Sequence, residues 1–319
     1  MPNKSRKSRK SSQCSPISEG DNNSCLSTDI LKKIYNVFFD KQPKNMSVKK
    51  MKEEIVKQME QMFNCNQEAC LLKIDSLKYS LTPSEYDEMI DSFKPLMPPE
   101  WHKDKNTWLN THNIDDVLEQ YEGKHDWFKY MGAHPIDFDK EIDIPYQIPK
   151  YNNGILQLSS KKNKKTCVAN ELCNIDIKSL YQDQGYEVLG FVFNTDEHDK
   201  SGEHWFSMLV DFVGKTTSPQ YKGPSILYYD SAGVKGGKIL KEISALIKRI
   251  QEEFLSITGE RIELAYNKQQ HQFKNTECGV YCLYFLTSLL DGTSLQEYME
   301  LNPDDKYIEQ YRDVYFNKV

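Results

Sequence analysis

The stretch His271–Leu290, HQFKNTECGVYCLYFLTSLL, decides the fold of this chain. It opens with polar residues, reaches Cys278-Gly279, and continues as an apolar run that stops at Asp291-Gly292. An apolar run of this length that is bounded by turn residues is typical of a buried helix. The stretch therefore predicts a loop that leads into a buried helix.

The cysteine at the start of this predicted helix is a candidate nucleophile. At a helix N-terminus, unpaired backbone N–H groups and the positive dipole end favour the thiolate, which is the reactive form of cysteine. Gly279 lets the backbone approach a bound acyl group, and the N–H of Cys278 can face an oxyanion. Gln272, six positions earlier, offers a second donor. From these residues alone, the alternative is equally open that Cys278 is a buried core residue like Cys282.

A thiolate nucleophile needs a base, and the base needs an acid that orients it. Residues 203–212 read as a strand with His204 near its start, and residues 226–231 read as a second strand with Asp230 near its end. Two neighbouring strands that form a hairpin place these two side chains next to each other. The predicted chain order of the site is then His, Asp and Cys.

These motifs resemble a known family, the cysteine proteases that process ubiquitin-like proteins, which includes the SUMO proteases and the adenovirus protease. The resemblance covers roughly residues 95–300 and rests on His204-Trp205, Tyr229-Asp230-Ser231, and Gln272 with Cys278-Gly279. Residues 193–196 and 271–281 are similar to the African swine fever virus-like branch found in large DNA viruses.

The resemblance implies a role for each matching residue. His204 would be the general base, Asp230 its orienting acid, Cys278 the nucleophile and Gln272 an oxyanion donor. Substrate contacts would come from residues beside these groups, namely Trp205, Gly279 and Asn275. No cofactor and no metal would be needed, because a thiolate–imidazolium pair supplies the nucleophile.

Two features depart from the pattern of the SUMO proteases. Glu277 stands where those enzymes usually carry Asp, and this difference affects the loop that would bind the oxyanion. A long loop, Gly214–Ser225, separates the two predicted strands and predicts a lengthened hairpin. Neither feature removes a predicted catalytic group.

The function implied by the resemblance is cleavage of polypeptides after Gly-Gly. The viral branch favours processing of viral structural polyproteins at Gly-Gly-Xaa sites during virion maturation. One alternative is a protease that processes or deconjugates ubiquitin-like modifiers. An alternative of another class is an inactive scaffold that binds Gly-Gly tails, although such a scaffold has no need to retain all four predicted catalytic residues.

The composition narrows the classes of partner and compartment. A net charge of −6 over 319 residues argues against nucleic-acid binding by the body of the protein, because affinity for phosphates needs clustered Lys and Arg. No stretch approaches the roughly 20 apolar residues that span a bilayer, and the first 26 residues lack the apolar centre of a signal peptide. We therefore expect no membrane partner and a cytoplasmic location, meaning host cytoplasm and virion for a viral protein.

The cysteines and the chain regions give further predictions. The eight cysteines are too scattered for a disulfide framework, which favours a reducing compartment. Residues 1–26 are predicted to be a disordered basic tail, with nucleic-acid binding or nuclear import as its functional alternatives. Residues 27–95 carry apolar positions at helical spacing and predict a small helical arm.

Residues 96–319 are predicted to form the catalytic domain after a proline-rich boundary. Their order of strands, helix, strand and cysteine helix predicts an α+β domain with a sheet covered by helices. The resemblance specifies a papain-like, adenain-like core with a central mixed sheet.

A metal site is the remaining alternative for this domain. Cys167 and Cys173 with His198 and His204 give the residue types of a zinc site, but zinc sites usually use tighter cysteine spacing. The spacing therefore favours the proposed triad, and no metal ligands are predicted.

Overall fold

The chain divides into two structural units. A computed structural model describes residues 13–21, 23–104, 107–146, 149–152, 155–158, 162–216 and 223–319. The first unit comprises the described residues of Met1–Asp126 and Asp304–Val319, and the second unit comprises those of Trp127–Pro303. The predicted catalytic domain spans 96–319, but residues 96–126 and 304–319 lie in the first unit together with the predicted helical arm.

The α-helices, in chain order, are α1 Thr28–Phe39, α2 Val48–Phe63, α3 Leu77–Ser80, α4 Pro83–Asp91, α5 Thr111–Lys124, α6 Asn170–Cys173, α7 Lys241–Thr258, α8 Cys278–Leu290, α9 Leu295–Leu301, α10 Asp305–Glu309 and α11 Arg312–Tyr315. Shorter 3₁₀ segments span Glu68–Lys73, Pro99–His102 and Lys235–Gly237, and a π-type turn spans Lys178–Asp183.

The strands are β1 Phe128–Pro135, β2 Glu141–Tyr146, β3 Pro149–Asn152, β4 Ile155–Leu158, β5 Lys162–Cys167, β6 Val188–Asn194, β7 Trp205–Asp211, β8 Ser225–Tyr229 and β9 Glu263–Tyr266. Strands β2 and β5 form one two-stranded antiparallel ribbon, and β3 and β4 form another.

A five-stranded mixed sheet is the centre of the second unit, in the order β1-β6-β7-β8-β9. Strands β6, β7 and β8 pair antiparallel, whereas β1 is parallel to β6 and β9 is parallel to β8. All residues of the three central strands are buried, so these strands show no alternation of apolar and polar residues. The predicted α+β fold with a central mixed sheet is confirmed.

Helices cover both faces of this sheet. The apolar stripe of α7 packs into the core cluster with alternate residues of β6 and β7 such as Phe191 and Phe206. On the other face α8 packs on β7, and Phe285 stacks on Tyr229 of β8 with ring centroids 4.5 Å apart. A helix that packs on a sheet inside the core needs apolar residues around most of its circumference, which explains the long apolar run in the sequence.

Strand β1 is an element that was not predicted from the sequence. The register of β1 on β6 shifts between Tyr130 and Ala133. Gly132 lies in this shift with φ of 90° and therefore adopts a conformation that other residues rarely reach. This irregularity interrupts the alternation of side chains by which a strand is recognised.

The first unit has its own apolar core. Ile30 and Ile34 of α1 pack with Met51, Ile55 and Met59 of α2, as the helical spacing predicts. Ser27 and Ser47 cap the two helices, since each hydroxyl accepts a hydrogen bond from a backbone N–H of the first turn. Helical segments are therefore present in 27–95 as expected.

The N-terminal residues described by the structure belong to this core, which corrects the expectation of a disordered tail over 1–26. Cys25 and Leu26 are buried in the cluster, and the backbone of Ser15 bonds to Ser92 at 3.0 Å. The basic residues of the predicted tail, Lys4, Arg6, Lys7, Arg9 and Lys10, lie outside the described residues. The predictions about nucleic acid and import therefore stay predictions.

The cysteines also differ from the sequence prediction. Six of the eight are paired as Cys14–Cys25, Cys65–Cys70 and Cys167–Cys173, and Cys278 and Cys282 are free. The pairs close loops of 11, 5 and 6 residues in sequence separation. Local chain folding brings these partners together, so their spacing in the sequence did not reveal them.

Among the described residues, no helix has both the length and the apolar character needed to cross a membrane.

The C-terminal segment gives a test of the first unit. The Asn317 side chain donates to the Gln13 and Lys94 carbonyls, both at 2.9 Å, and Asn317 is buried. We expect Asn317→Ala to lower the free energy of unfolding by about 1–3 kcal/mol, because it leaves buried carbonyls without this donor. Urea unfolding measures the change. The neighbouring control Lys318→Ala removes only an exposed ion pair with Asp313 and should change stability by less than about 0.5 kcal/mol. Equal losses in the two variants would contradict this assignment.

Candidate active site

The predicted nucleophile lies at the first position of the buried helix. Cys278 begins α8, its side chain is free, and the residue is 1% exposed. The backbone N–H groups of this first turn have no partner within the helix, and they carry the positive end of its dipole. Cys278 therefore lies at the end of α8 that carries these N–H groups.

The hairpin of β7 and β8 brings the predicted base and acid together. The strands run antiparallel with Ser207 opposite Tyr229, so the start of β7 lies at the end of β8. His204 immediately precedes β7 and Asp230 immediately follows β8. The His204 Nε2 and Asp230 Oδ1 atoms are 2.7 Å apart, which is a short hydrogen bond.

The other side of the imidazole meets the cysteine, because His204 also makes a side-chain hydrogen bond with Cys278. Burial alone lowers the pKa of His204, but the hydrogen bonds to Asp230 and Cys278 and the charges of both groups outweigh it. The pKa is raised from 6.5 to about 10. The imidazolium form is therefore stable over the whole neutral range. With Nε2 directed to Asp230, Nδ1 is the atom that exchanges a proton with sulfur.

The second free cysteine has a different environment. Cys282 is buried one helical turn further along α8, where its thiol interacts with Ser207 of β7. Burial raises the pKa of the Cys282 thiol well above its usual range, and the charges of Cys278 and Asp230 add to this effect. Cys282 is therefore a neutral core residue, whereas Cys278 has a histidine partner.

The loop before the nucleophile holds Gln272 firmly. Its Oε1 accepts from the Ser231 hydroxyl at 2.7 Å, and its Nε2 donates to the Lys274 carbonyl at 2.7 Å. Gln272 is 6% exposed. The Nε2 group carries a second hydrogen beyond the one given to Lys274, so the side chain retains one donor for a ligand.

The three predicted substrate contacts occupy different environments. Trp205 is buried at the first position of β7, beside His204. Gly279 is buried in the first turn of α8, and Asn275 is exposed in the loop before it. The side chain of Asn275 is therefore accessible to a polypeptide, while substrate contact with any of the three stays a prediction.

Asn267 is a site residue that the sequence analysis did not identify. Its Oδ1 accepts from the Asp230 N–H at 2.9 Å, and its Nδ2 donates to the Asp230 carbonyl at 2.6 Å and the Gln269 carbonyl at 3.0 Å. Since β8 and β9 are parallel, the residues after both strands meet at one sheet edge. A polar residue directly after β9 was the available signal, and it becomes informative only once the strand pairing is known.

The structure does not assemble the alternative zinc site. Cys167 is paired with Cys173, His198 bonds to Asp137 with 2.7 Å between Nδ1 and Oδ2, and His204 bonds to Asp230. Within the part of the chain that the structure describes, no group of three His, Cys, Asp or Glu residues is arranged to hold a metal ion.

Comparisons with known proteins identify viral relatives. The chain is 24% identical over 314 residues to the putative thiol protease R355 of Acanthamoeba polyphaga mimivirus, covering 93% of this chain and 90% of the relative. It is 25% identical over 277 residues to the SUMO-1 cysteine protease of African swine fever virus isolate Tick/South Africa/Pretoriuskop Pr4/1996, covering 83% and 88% of the two chains. No family model matches the chain.

The fold comparison agrees with these relatives. The crystal structure of the African swine fever virus protease superposes with a TM-score of 0.66 at 19% sequence identity and covers 98% of both chains. The chain is therefore homologous to viral thiol proteases, shares the fold of the African swine fever virus enzyme and is a cysteine protease. This confirms the predicted resemblance and the predicted enzyme class.

The raised pKa of His204 gives a pH test of the site. The imidazolium is present below about pH 10 and is lost above it, so kcat/KM should fall on the alkaline side near that pH. Asp230→Asn removes the carboxylate charge and should move this alkaline limb down by about one to three pH units. Initial rates measured from pH 5 to about pH 11 test the shift.

Asp137→Asn is the matched control, because it alters the second histidine–aspartate pair of the same unit, Asp137–His198. This variant should leave the alkaline limb in place. An Asp230→Asn profile that coincides with the wild type would show that this carboxylate does not hold the His204 proton.

Proposed function

We propose that the chain is an endopeptidase that cleaves polypeptides after Gly-Gly. Cys278, His204 and Asp230 form its catalytic triad, and Gln272 is an oxyanion donor. The observation that carries this proposal is the continuous hydrogen-bonded path from Asp230 through His204 to Cys278, at the first turn of a buried helix.

Acylation begins when the Cys278 thiolate attacks the scissile carbonyl while its former proton resides on His204. The carbonyl π electrons move to oxygen, and the oxyanion receives hydrogen bonds from the Gln272 amide and the Cys278 N–H. His204 then gives its proton to the leaving amine as the C–N bond breaks. Asp230 stabilises the imidazolium while it is present and fixes the orientation of the ring.

Deacylation reverses the proton movements. The first product leaves as an amine, and the acyl group remains as a thioester on Cys278. His204, now neutral, takes a proton from water, and the resulting hydroxide equivalent attacks the thioester carbonyl. Collapse of this second tetrahedral intermediate releases the carboxylic acid, which loses its proton to solvent, and restores the thiolate with its imidazolium partner. A bound metal has no part in either stage.

The recessed position of the nucleophile supports small residues on the acyl side of the scissile bond. Cys278 is 1% exposed, and Gly279 and Gln272 beside it are also buried. A substrate backbone that reaches a sulfur buried to this degree has little room for side chains. Glycine is the residue that lacks one, which agrees with the Gly-Gly specificity implied by the family resemblance.

For the natural substrate we propose viral structural polyproteins that are cleaved during virion maturation, in the host cytoplasm and in the virion. The support is the viral origin of relatives that match 83% and 93% of this chain. The second candidate is a ubiquitin-like modifier or its conjugate. The name of the African swine fever virus relative, a SUMO-1 cysteine protease, favours this candidate.

A matched substrate panel tests the proposal. We expect Gly-Gly-Xaa peptides to be cleaved after the second glycine, with kcat/KM at least about 100-fold above Gly-Val-Xaa peptides, because an added side chain blocks the approach to Cys278. Folded fusions of a ubiquitin-like protein are assayed in parallel. Peptide cleavage supports polyprotein processing, whereas cleavage of folded fusions alone supports the modifier function.

The two free cysteines provide the control for the nucleophile. Cys278→Ala should abolish cleavage, while Cys282→Ala should retain it, since Cys282 is buried and has no histidine partner. If Cys278→Ala retained cleavage, the proposed triad would be wrong.

Metal removal gives an independent test. Incubation with EDTA should leave the rate of peptide cleavage unchanged, because the proposed mechanism uses a thiolate and an imidazolium in place of a metal-bound water. Loss of activity that zinc restores would contradict the triad mechanism and favour a metal site.

A further inference from the structure

Ser231, in the loop that follows β8, bonds to two residues of the loop that follows β9. Its carbonyl accepts hydrogen bonds from the backbone N–H groups of both His271 and Gln272, each at 2.9 Å. Its hydroxyl donates to the side-chain oxygen of Gln272 at 2.7 Å. Ser231 therefore holds Gln272 through both the backbone and the side chain, and it directly follows Asp230.

The hydrogen-bond partners of the Gln272 amide determine which way it faces. The Lys274 carbonyl can only accept, so the amide nitrogen must be the end that faces it. The Oε1 atom then faces Ser231, whose hydroxyl must act as the donor. This arrangement gives Oε1 one hydrogen bond, from Ser231, and leaves one hydrogen of Nε2 available.

The hydrogen bond between Ser231 and Gln272 is buried, so its loss is costly. Ser231 and Gln272 are 1% and 6% exposed, so water does not readily replace a lost partner. Without the serine hydroxyl, Oε1 loses its donor inside the protein. The Gln272 amide is then expected to rotate so that Oε1 meets another donor. This rotation turns the available Nε2 hydrogen away from the oxyanion.

We propose that Ser231 is a positioning residue that holds the Gln272 amide as an oxyanion donor. The inference rests on the proposed role of Gln272 and adds a residue to it. Because Ser231 and Asp230 are adjacent, one short segment after β8 places both the acid of the triad and the oxyanion donor.

The proposal predicts how the rate constants change. An oxyanion exists only in the tetrahedral stages, so a misdirected donor lowers kcat and leaves KM nearly unchanged. Removing an oxyanion donor typically costs about 100- to 1,000-fold in kcat, which is the loss expected for Gln272→Ala. Ser231→Ala keeps the Gln272 amide but no longer holds it in place, so we expect kcat to fall by about tenfold.

A double-mutant cycle tests the coupling. Ser231→Ala, Gln272→Ala and the double variant are compared for kcat and KM on a Gly-Gly-Xaa peptide and on an activated ester of glycylglycine. The double variant should be no slower than Gln272→Ala alone, because Ser231 has nothing left to position. The ester serves as a second acyl substrate, so failure of the peptide specificity does not prevent the measurement.

The rate of alkylation of Cys278 by iodoacetamide separates this role from general damage to the site. Alkylation uses the thiolate and the imidazolium but forms no oxyanion. Ser231→Ala should therefore alkylate at the wild-type rate and with the wild-type pH dependence.

The control is Ser225→Ala, which removes another fully buried serine hydroxyl, at the opposite end of β8. Within the described part of the chain this hydroxyl has no hydrogen-bond partner, so kcat should not change. If Ser231→Ala does not fold, Ser231→Cys and Ser231→Thr replace it. Thr retains the hydroxyl, so Ser231→Thr should have a kcat near the wild-type value.

Additive losses of kcat in the cycle, or an alkylation rate that falls together with kcat, would overturn the proposal.

Discussion

The antiparallel pairing of β7 with β8 is the constraint on which the site depends. Hydrogen bonds between the two strands fix Ser207 opposite Tyr229, and this register places the residues that flank the strands at one edge of the sheet. His204 and Asp230 lie 26 positions apart in sequence, yet they meet at 2.7 Å. A shift of one residue in this register would turn each side chain to the other face of the sheet. The relative position of His204 and Asp230 is therefore set by the pairing of these two strands.

The buried helix α8 adds the third group. Its packing against β7 sets the distance from the helix N-terminus to the end of the sheet that carries His204. An imidazolium in this buried site carries a desolvation cost, which the hydrogen bonds and charges of Asp230 and Cys278 outweigh. The same environment keeps Cys282 neutral one turn away. Reactivity thus follows from position along the helix, since the two cysteines share both residue type and burial.

The sequence predicted the elements with strong patterns and missed those whose pattern is interrupted. The apolar stripe of α7, the central strands and the cysteine helix are all present, and α7 ends at Gly259 in a left-handed conformation. Strand β1 was missed because Gly132 and a register shift interrupt its alternation. The disordered tail was wrong for the described residues up to 26, since a few apolar and serine side chains there find partners in distant parts of the first unit. The three cysteine pairs were missed because each depends on a local fold of the chain.

The sequence by itself identified the candidate residues of the site, because the motifs around His204, Asp230 and Cys278 carry the resemblance to a family of cysteine proteases. It also determined the fold class, because hydrophobic periodicity records which faces are buried. Only the tertiary structure decided which atoms meet. Nε2 of His204 faces Asp230, Asn267 holds the backbone of that aspartate, and Ser231 holds Gln272. These contacts join residues from different loops at one sheet edge, and their geometry depends on strand register and helix packing, which no local pattern in a sequence encodes.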